Sequence, residues 1–376
     1  MRKYRWLIAA LLAAMLGLSA CRAALPEENA SAAEIVEGSA QGTEGGSLPQ
    51  RVENEGSGTQ TPGSSTQQPG STTQQPGSST QQSGSSTQPG NADTPGHADE
   101  PGNNNSTEEN PMEKSYNLKL MAYNIRCADD PNGHSIDERA PRVKTVITQN
   151  NPDIVGMVEI TPKWAAHLET EYQDQYRLLL HYRSEKNPEG LAILYKTAVF
   201  QFLDEGFFWL SETPEKESIG WDASLPRICT WVKLKHKETG KTIVYYNYHG
   251  EMADAFSAGA FQLISREMAK NPKAACFIGG DFNLFPTSLG YVSYFAAAMD
   301  EARNIVPKPA TEPGTPTVPG GYPNPGAGDG EGDQIILDYI FHQEEKAQAV
   351  DYYVDRTRIN GYFPSDHYAV VCCYQL

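Results

Sequence analysis

The stretch "CFIGGDFNLFP", Cys276 to Pro286, decides how this chain is read. An apolar run meets two glycines, then Asp281, one phenylalanine and Asn283, and Pro286 closes it. An apolar run bounded by turn residues reads as a buried strand. Side chains two apart on a strand share a face, so Asp281 and Asn283 are expected to point the same way. Other apolar runs along the chain are punctuated in the same fashion. "LMAYN" stops at Asn124, "DIVGMVE" at Glu159, and "VYYNYH" at Asn247 and His249. "LDYIF" opens on Asp338, and "FPSDHYAVV" on Asp366 and His367. Each of these is weak alone: a glutamate at a strand end is usually solvated, and "SDH" also suits a helix cap. Together they place Asn, Glu, His and Asp at one strand end after another.

Around these motifs, further strands are predicted at "YRLLLHY", "LAILYK", "FQFLDEGFFWL", "ICTWVKLKHK" and "AVDYYVD", dense in Val, Ile, Tyr and Phe. Helices fit "RAPRVKTVITQNN", "TPKWAAHLETEYQ" and "FSAGAFQLISREMAKN". In the last, Phe256, Ala260, Leu263, Ile264 and Met268 recur at helical spacing, and Asn271-Pro272 is the stop. Many strands and few helices, without strict alternation, predict two packed sheets flanked by helices.

The composition divides the chain of 376 residues into three parts. Residues 1–20 carry Arg2, Lys3 and Arg5, then an apolar run from Trp6 to Leu18, the form of an export signal. It ends in "LSAC", similar to the lipobox of bacterial lipoproteins, in which the cysteine, here Cys21, is lipidated. That likeness implies an exported protein anchored to the outer face of the cell membrane. The core of residues 21–111 repeats "TPGSSTQ", "QPGSTTQ" and "QPGSSTQ" with no apolar position in the repeat, and the segment is expected to form a disordered linker. Such a linker has an r.m.s. reach of roughly 50 Å. Residues 112–376 have globular composition and form one domain.

The formal net charge is −17, and residues 112–376 are acidic in their own right. A broad basic face, the footprint of a nucleic-acid binder, is therefore not supported, although a local basic groove is compatible with this charge. Beyond Cys21 the cysteines are Cys127, Cys229, Cys276, Cys372 and Cys373, without C-x-x-C spacing. They read as buried free thiols, with Cys372 and Cys373 on opposite faces of the last strand. No Gly-x-Ser-x-Gly elbow, Walker loop or His-Glu-x-x-His helix is present.

The set "AYNIR" (122–126), "PDIVGMVE" (152–159), "NYH" (247–249), "GGDFN" (279–283), "LDYIF" (337–341) and "SDHYAVV" (365–371) resembles the endonuclease/exonuclease/phosphatase superfamily. These are Mg²⁺-dependent phosphoesterases that include DNase I, apurinic endonucleases, sphingomyelinases and inositol-phosphate 5-phosphatases. "FFWLSETP" and "WDASLPRICTW" look like its bacterial metal-dependent hydrolase branch. The resemblance spans nearly all of residues 112–376 and implies a four-layer α/β sandwich. It implies Glu159 as the principal metal ligand, with Asn124 and Asp366 beside the metal. It implies Asp281 as the residue that orients or deprotonates water, and Asn283 as a donor to the phosphoryl oxygen. His367 would stabilise charge, held in its tautomer by Asp338, and His249 would be a general acid or a phosphate contact. Arg227 and Asn247 would bind phosphate. The cofactor would be Mg²⁺, with Mn²⁺ as a substitute. The substrate would be a phosphoester, chiefly a phosphodiester, in nucleic acid, a phospholipid head group or a small molecule. The enzyme would act as a monomer with no protein partner.

The chemistry of the residues agrees with this. Hard oxygen ligands suit Mg²⁺, which takes one or two carboxylates plus substrate phosphate. An imidazole near a carboxylate is a tuned proton donor or charge stabiliser. Two departures stand out. "NYHGEM" lacks the Leu-Asp that follows the His in this branch, and Glu251 and Asp254 are candidates to replace that acid. "MVEIT" puts Val158 where a Gln is common. The altered loop motivates a rival reading, a surface-tethered binding module on a decayed enzyme fold. The Pro/Gly-rich stretch from Pro307 to Asp333 reads as a loop beside the site, either touching substrate or passive. His134 and His181 are expected at the surface, and Trp209, Trp221 and Trp231 in packing roles.

Overall fold

The structure, a computed structural model, describes residues 116–324 and 335–376. The export signal read over residues 1–20, Cys21, the linker read over 21–111 and part of the Pro/Gly-rich stretch lie outside the described residues.

The strands are β1 (Asn117–Asn124), β2 (Ile154–Ile160), β3 (Tyr176–Tyr182), β4 (Gly190–Lys196), β5 (Phe200–Trp209) and β6 (Ile228–His236). They continue as β7 (Thr242–His249), β8 (Ala275–Asp281), β9 (Asp300–Glu301), β10 (Asp338–His342), β11 (Gln348–Asp355) and β12 (Ala369–Gln375). They form two six-stranded sheets, β11-β12-β1-β2-β4-β3 and β5-β6-β7-β8-β10-β9. Both sheets are mixed: β1 runs parallel to β2, and β7 to β8, while β12 and β10 run antiparallel to their neighbours. The C-terminal ends of β1, β2, β7 and β8 therefore meet the N-terminal ends of β10 and β12.

Three longer helices cover the outer faces. Helix α1 (Ile136–Asn150) begins with a capping box in which Ser135 and Glu138 satisfy each other's backbone N–H. Helix α2 (Pro162–Glu171) has Thr161 as its cap and Pro162 in the first turn, where no backbone donor is needed. Helix α3 (Asp254–Ala269) buries Phe256, Ala260, Leu263, Ile264 and Met268, the face its sequence spacing predicts.

Strand alternation sorts the apolar residues into three layers of core. Leu118, Leu120, Ile154, Ile243, Tyr245, Phe277 and Val370 fill the space between the sheets. Met121, Tyr123, Val155 and Met157 pack outward on α1 and α2, with Val143, Ile147 and Trp164. Val244, Tyr246, Cys276 and Ile278 pack outward on α3. The result is the expected four-layer α/β/β/α sandwich. The five cysteines among the described residues are free thiols. His134 differs from expectation: it is fully buried, its Nδ1 3.1 Å from the Asn132 carbonyl, with the rings of Tyr322 and Tyr362 against it.

The same alternation aims the motif residues. Asn124 continues the inward series Leu118, Leu120, Ala122. Asn247 and His249 continue Ile243 and Tyr245, and Asp281 continues Ala275, Phe277 and Gly279. The two glycines of "GGDFN" have separate reasons. A Cβ on Gly279 would stand 2.3 Å from the Tyr245 hydroxyl. Gly280 adopts φ +142°, and a Cβ there would stand 1.9 Å from the backbone carbonyl of Tyr248 on β7. The first clash is with a side-chain tip; the second is with backbone that β-pairing holds in place. Gly280→Ala is therefore expected to cost about 3 kcal/mol or more, and Gly279→Ala less. Urea unfolding of the two variants checks the order, and equal midpoints would contradict it.

Candidate active site

Where the strand ends meet, the seam opens into a cleft of about 240 Å³. Glu159, His249, Asp281, Asn283 and His367 line it, with Arg227, Arg183, Glu189, Cys127 and Leu225. Larger grooves, of about 470 and 480 Å³, lie around α2 and β3 and hold no converging set of acids and imidazoles.

Asp281 is at its centre, 2% exposed. Its Oδ1 accepts the Asn283 N–H at 2.8 Å, and its Oδ2 accepts Asn124 Nδ2 at 3.1 Å. The same Oδ2 lies 3.8 Å from Nε2 of both His249 and His367. Burial pushes the Asp281 carboxyl up to about 7, against the pull of His367. The two imidazoles are driven apart. Burial lowers both, and for His249 the Arg227 guanidinium adds to it, so that ring is neutral. For His367 the carboxylates of Asp338 and Asp281 outweigh burial and raise it well above the usual imidazole value. His367 Nδ1 donates to Asp338 Oδ2 at 2.8 Å. Asp338 is in turn held by its backbone N–H and that of Leu337, which donate to Thr317 Oγ1 at 3.2 and 3.0 Å. The described part of the Pro/Gly-rich stretch thus braces the site through Thr317.

Glu159 sits at a bulge between Met157 and Ile160, with φ +66°. Burial opposes its charge, but the Asn124 amide and the Cys127 N–H donate to it and hold the carboxyl below the usual carboxylate range. Asn124 Nδ2 donates to Glu159 Oε1 at 2.8 Å as well as to Asp281, so its amide bridges the two carboxylates. Its Oδ1 accepts the Arg126 N–H at 2.9 Å, which sets that orientation. Burial raises the Asp366 carboxyl, and Glu159 adds to that by repulsion, while Arg126 Nη1 pairs with it at 2.7 Å.

The remaining sequence candidates are placed as follows. β8 ends at Asp281, so Asn283 reaches the cleft through a left-handed turn at φ 51° and not by strand alternation. Arg227 Nε pairs with Glu251 at 3.2 Å, and its Nη1 is buried without a partner among the described residues. Glu251 is thus the counter-ion of Arg227, while Asp254 accepts the Gly290 N–H at 3.1 Å. Asn247 does not line the cleft; its Nδ2 donates to the carbonyls of Met157 and Ala192 at 2.8 and 3.0 Å, tying the two sheets together. Arg126, Asp130, Arg183 and Glu189 had no role in the sequence reading. Arg183 and Glu189 form a two-pronged ion pair at 2.8 Å along one wall. Their only signal was the acidic-basic turn "YRSEKNPEG", which looks like any solvated hairpin.

Residues 121–367 match the model of the Endonuclease/Exonuclease/phosphatase family. The chain belongs to that family. Its chemistry is metal-dependent phosphoester hydrolysis, and the domain is an enzyme of that kind. An endonuclease/exonuclease/phosphatase family protein from Bacteroides thetaiotaomicron is similar in structure, with TM-score 0.60 and 25% identity, covering 70% of this chain and 99% of that one. A mannosyl-6-phosphatase from the same organism has TM-score 0.58 and 24% identity, covering 68% of this chain and 99% of that one. The human Nocturnin catalytic domain with bound sulfate has TM-score 0.51 and 18% identity, covering 69% and 94%. The last two share the fold. No curated protein sequence matches the chain.

The residues fit a hard divalent cation. Among the described residues, the carboxylates Glu159, Asp366, Asp281, Asp338, Glu189, Asp130 and Glu251 at or beside the cleft outnumber the cations Arg126, Arg139, Arg183, Arg227 and His367. The donor atoms of Asp281, Asp338 and His367 lie within 4.8 Å of one another. That trio is already joined by the His367–Asp338 hydrogen bond, and His367 carries a proton there. Outside that trio, Glu159 and Asp366 repel each other.

Because Asp338 holds His367 protonated, the imidazolium is present through neutral pH and is lost only as pH rises through its raised value. Asp338→Asn removes the largest of the three raising charges, those of Asp338, Asp281 and Asp366. The His367 titration followed by NMR is expected to fall by more than one pH unit in that variant. An unchanged midpoint would show that the dyad does not set the charge of His367.

Proposed function

We propose that the domain hydrolyses phosphoester bonds by metal-assisted, in-line attack of water, with Mg²⁺ as the metal and Mn²⁺ as a substitute. The observation that carries this is Asp281, a buried carboxylate placed between one neutral and one charged imidazole. Paired groups whose environments push their protonation apart divide acid and base roles. A carboxyl raised toward neutrality is matched to accept a proton from water near pH 7. Asn283 and the unpartnered Nη1 of Arg227 are donors for phosphoryl oxygens. The His367 imidazolium neutralises charge that develops on the phosphoryl group. Neutral His249 contacts the phosphate or the departing oxygen. Glu159 and Asp366 would hold the cation, which when bound supplies Lewis-acid polarisation of a phosphoryl oxygen.

The convergence of Glu159, Asp281, Asn283 and His367 counts against the rival reading as a decayed binding module. A neighbour named as a mannosyl-6-phosphatase, and another holding sulfate, support a tetrahedral anion in this fold. The acidic charge of the domain disfavours tight, non-specific duplex binding. Residues 1–21 support export and lipid anchoring at Cys21, so the domain would act outside the cell membrane on the end of the linker. Metabolic labelling with a palmitate analogue, lost in Cys21→Ala, tests the anchor.

For the enzyme, hydrolysis by the full chain is expected with Mg²⁺ and not with EDTA. Asp281→Ala should lower kcat by about 10²- to 10⁴-fold. Mg²⁺ should also raise the melting temperature of the wild type, and that rise should vanish in Glu159→Gln. Equal turnover in EDTA would overturn the mechanism.

A further inference from the structure

Asn247 is fully buried, and its side chain acts on the opposite sheet. It lies on β7, two residues before His249 and level with Gly279 of β8, which is two before Asp281. Its Nδ2 donates to the carbonyls of Met157 on β2 and Ala192 on β4. Both oxygens can only accept, so they fix which way the amide faces.

Those two carbonyls stand at a special place. Met157 and Ala192 face each other in the β2–β4 ladder and are its last regular pair before the register shifts to Ile160 and Gly190. Val158 and Glu159 then stand against Leu191 alone, which makes a β-bulge. On β2, Val155 and Met157 point outward to the helices. Unbroken alternation would send Glu159 the same way, away from the cleft. The extra residue turns it inward, so that it lines the cleft with Asp281 and His249. Glu159 takes φ +66° there, a left-handed conformation that a non-glycine residue keeps only where its surroundings impose it.

We propose that Asn247 is the positioning residue of Glu159: it holds the last regular pair of the ladder from the opposite sheet and so imposes the bulge that delivers this carboxylate to the cleft. The proposal rests on the reading of Glu159 as a residue that holds the cation. Asn124 Nδ2 and the Cys127 N–H, each 2.8 Å from a carboxylate oxygen of Glu159, orient the end of the side chain. Asn247 acts one step earlier, on the backbone that aims it.

Gly156, the glycine of "DIVGMVE", supports this. It has no positive φ that would call for a glycine. A Cβ on it would stand against the Tyr245 hydroxyl and 2.7 Å from Asn247 Oδ1. Its bare backbone leaves the room that the Asn247 amide enters from the other sheet.

The test reads the metal site and the bulge separately, in the full chain. Asn247→Leu roughly keeps the volume and removes both donors. It should raise the Mn²⁺ Kd, read from the EPR signal of the free ion, by about 10- to 100-fold. Hydrolysis lost at low Mg²⁺ should return as Mg²⁺ is raised, unlike the loss in Asp281→Ala. Tyr245→Phe removes a hydroxyl without a partner among the described residues, on the same face of β7, and Phe277→Leu opens a void between the sheets. Both should leave the Kd unchanged. Without metal, hydrogen exchange at the Cys127 N–H reports on Glu159, its acceptor. Exchange should speed up by about 10-fold or more in Asn247→Leu and not in Phe277→Leu. Asn247→Ser, too short to reach both carbonyls, should move both readings the same way and serves if the leucine variant does not fold. Unchanged Kd and exchange in the Asn247 variants, or equal changes in Phe277→Leu, would overturn the proposal. If the wild type binds no Mn²⁺, the reading of Glu159 as a holder of the cation fails. Exchange at Cys127 then decides the positioning role alone: faster in Asn247→Leu supports it, unchanged rejects it.

Discussion

Asp281 is a carboxylate buried where two hydrophobic sheets meet, and the need to compensate its charge organises this end of the sandwich. Moving such a charge out of water costs several kcal/mol unless donors or cations replace the solvent. The structure supplies the Asn283 N–H, the Asn124 amide and two imidazoles near Oδ2. Each of these needs its own support. His367 is oriented by Asp338, Asp338 by the hydroxyl of Thr317, and Thr317 takes the Tyr368 N–H on its carbonyl at 2.6 Å. Compensation for one buried charge thus recruits β1, β8, β10, β12 and the Pro/Gly-rich segment.

A second chain of compensation runs through Asp366. Asp366 is answered by Arg126, whose Nε and Nη2 are clamped by Asp130 at 2.5 and 3.0 Å. Asp130 accepts the Tyr322 hydroxyl at 2.8 Å, and the Tyr322 ring lies against the Arg126 guanidinium. Glu159 and Asn124 join the two chains. The arrangement leaves an excess of carboxylate over cation, which is what a divalent metal and an anionic phosphoryl group would jointly complete. The same logic bears on Arg227: its Nη1 is buried and unpaired among the described residues, a donor that an anion would satisfy.

Much of this was legible because strand alternation carries information to the last residue of a strand. Leu118, Leu120 and Ala122 point inward, so Asn124 must as well, and the same holds for His249 and Asp281. Alternation also put Asn247 inward, but it could not say that a residue one step deeper would meet the backbone of the opposite sheet and not the cleft. It failed at Asn283, where a left-handed turn replaces the strand and still delivers the side chain. Arg183, Glu189, Arg126 and Asp130 were not recognisable because loop ion pairs have no period and look like solvated charge. His134 was misplaced for the converse reason: a buried histidine satisfied by a backbone carbonyl leaves no mark in the sequence.

The most direct test is the position of the metal. Crystals of residues 112–376 grown with Mn²⁺ would show it by anomalous scattering. The account predicts a peak against the Glu159 carboxylate on the side of Asp366, with the His367–Asp338 hydrogen bond intact. A peak held instead by Asp281, Asp338 and His367 would contradict it. That would make the imidazole a ligand and leave Asp281 without a role as base.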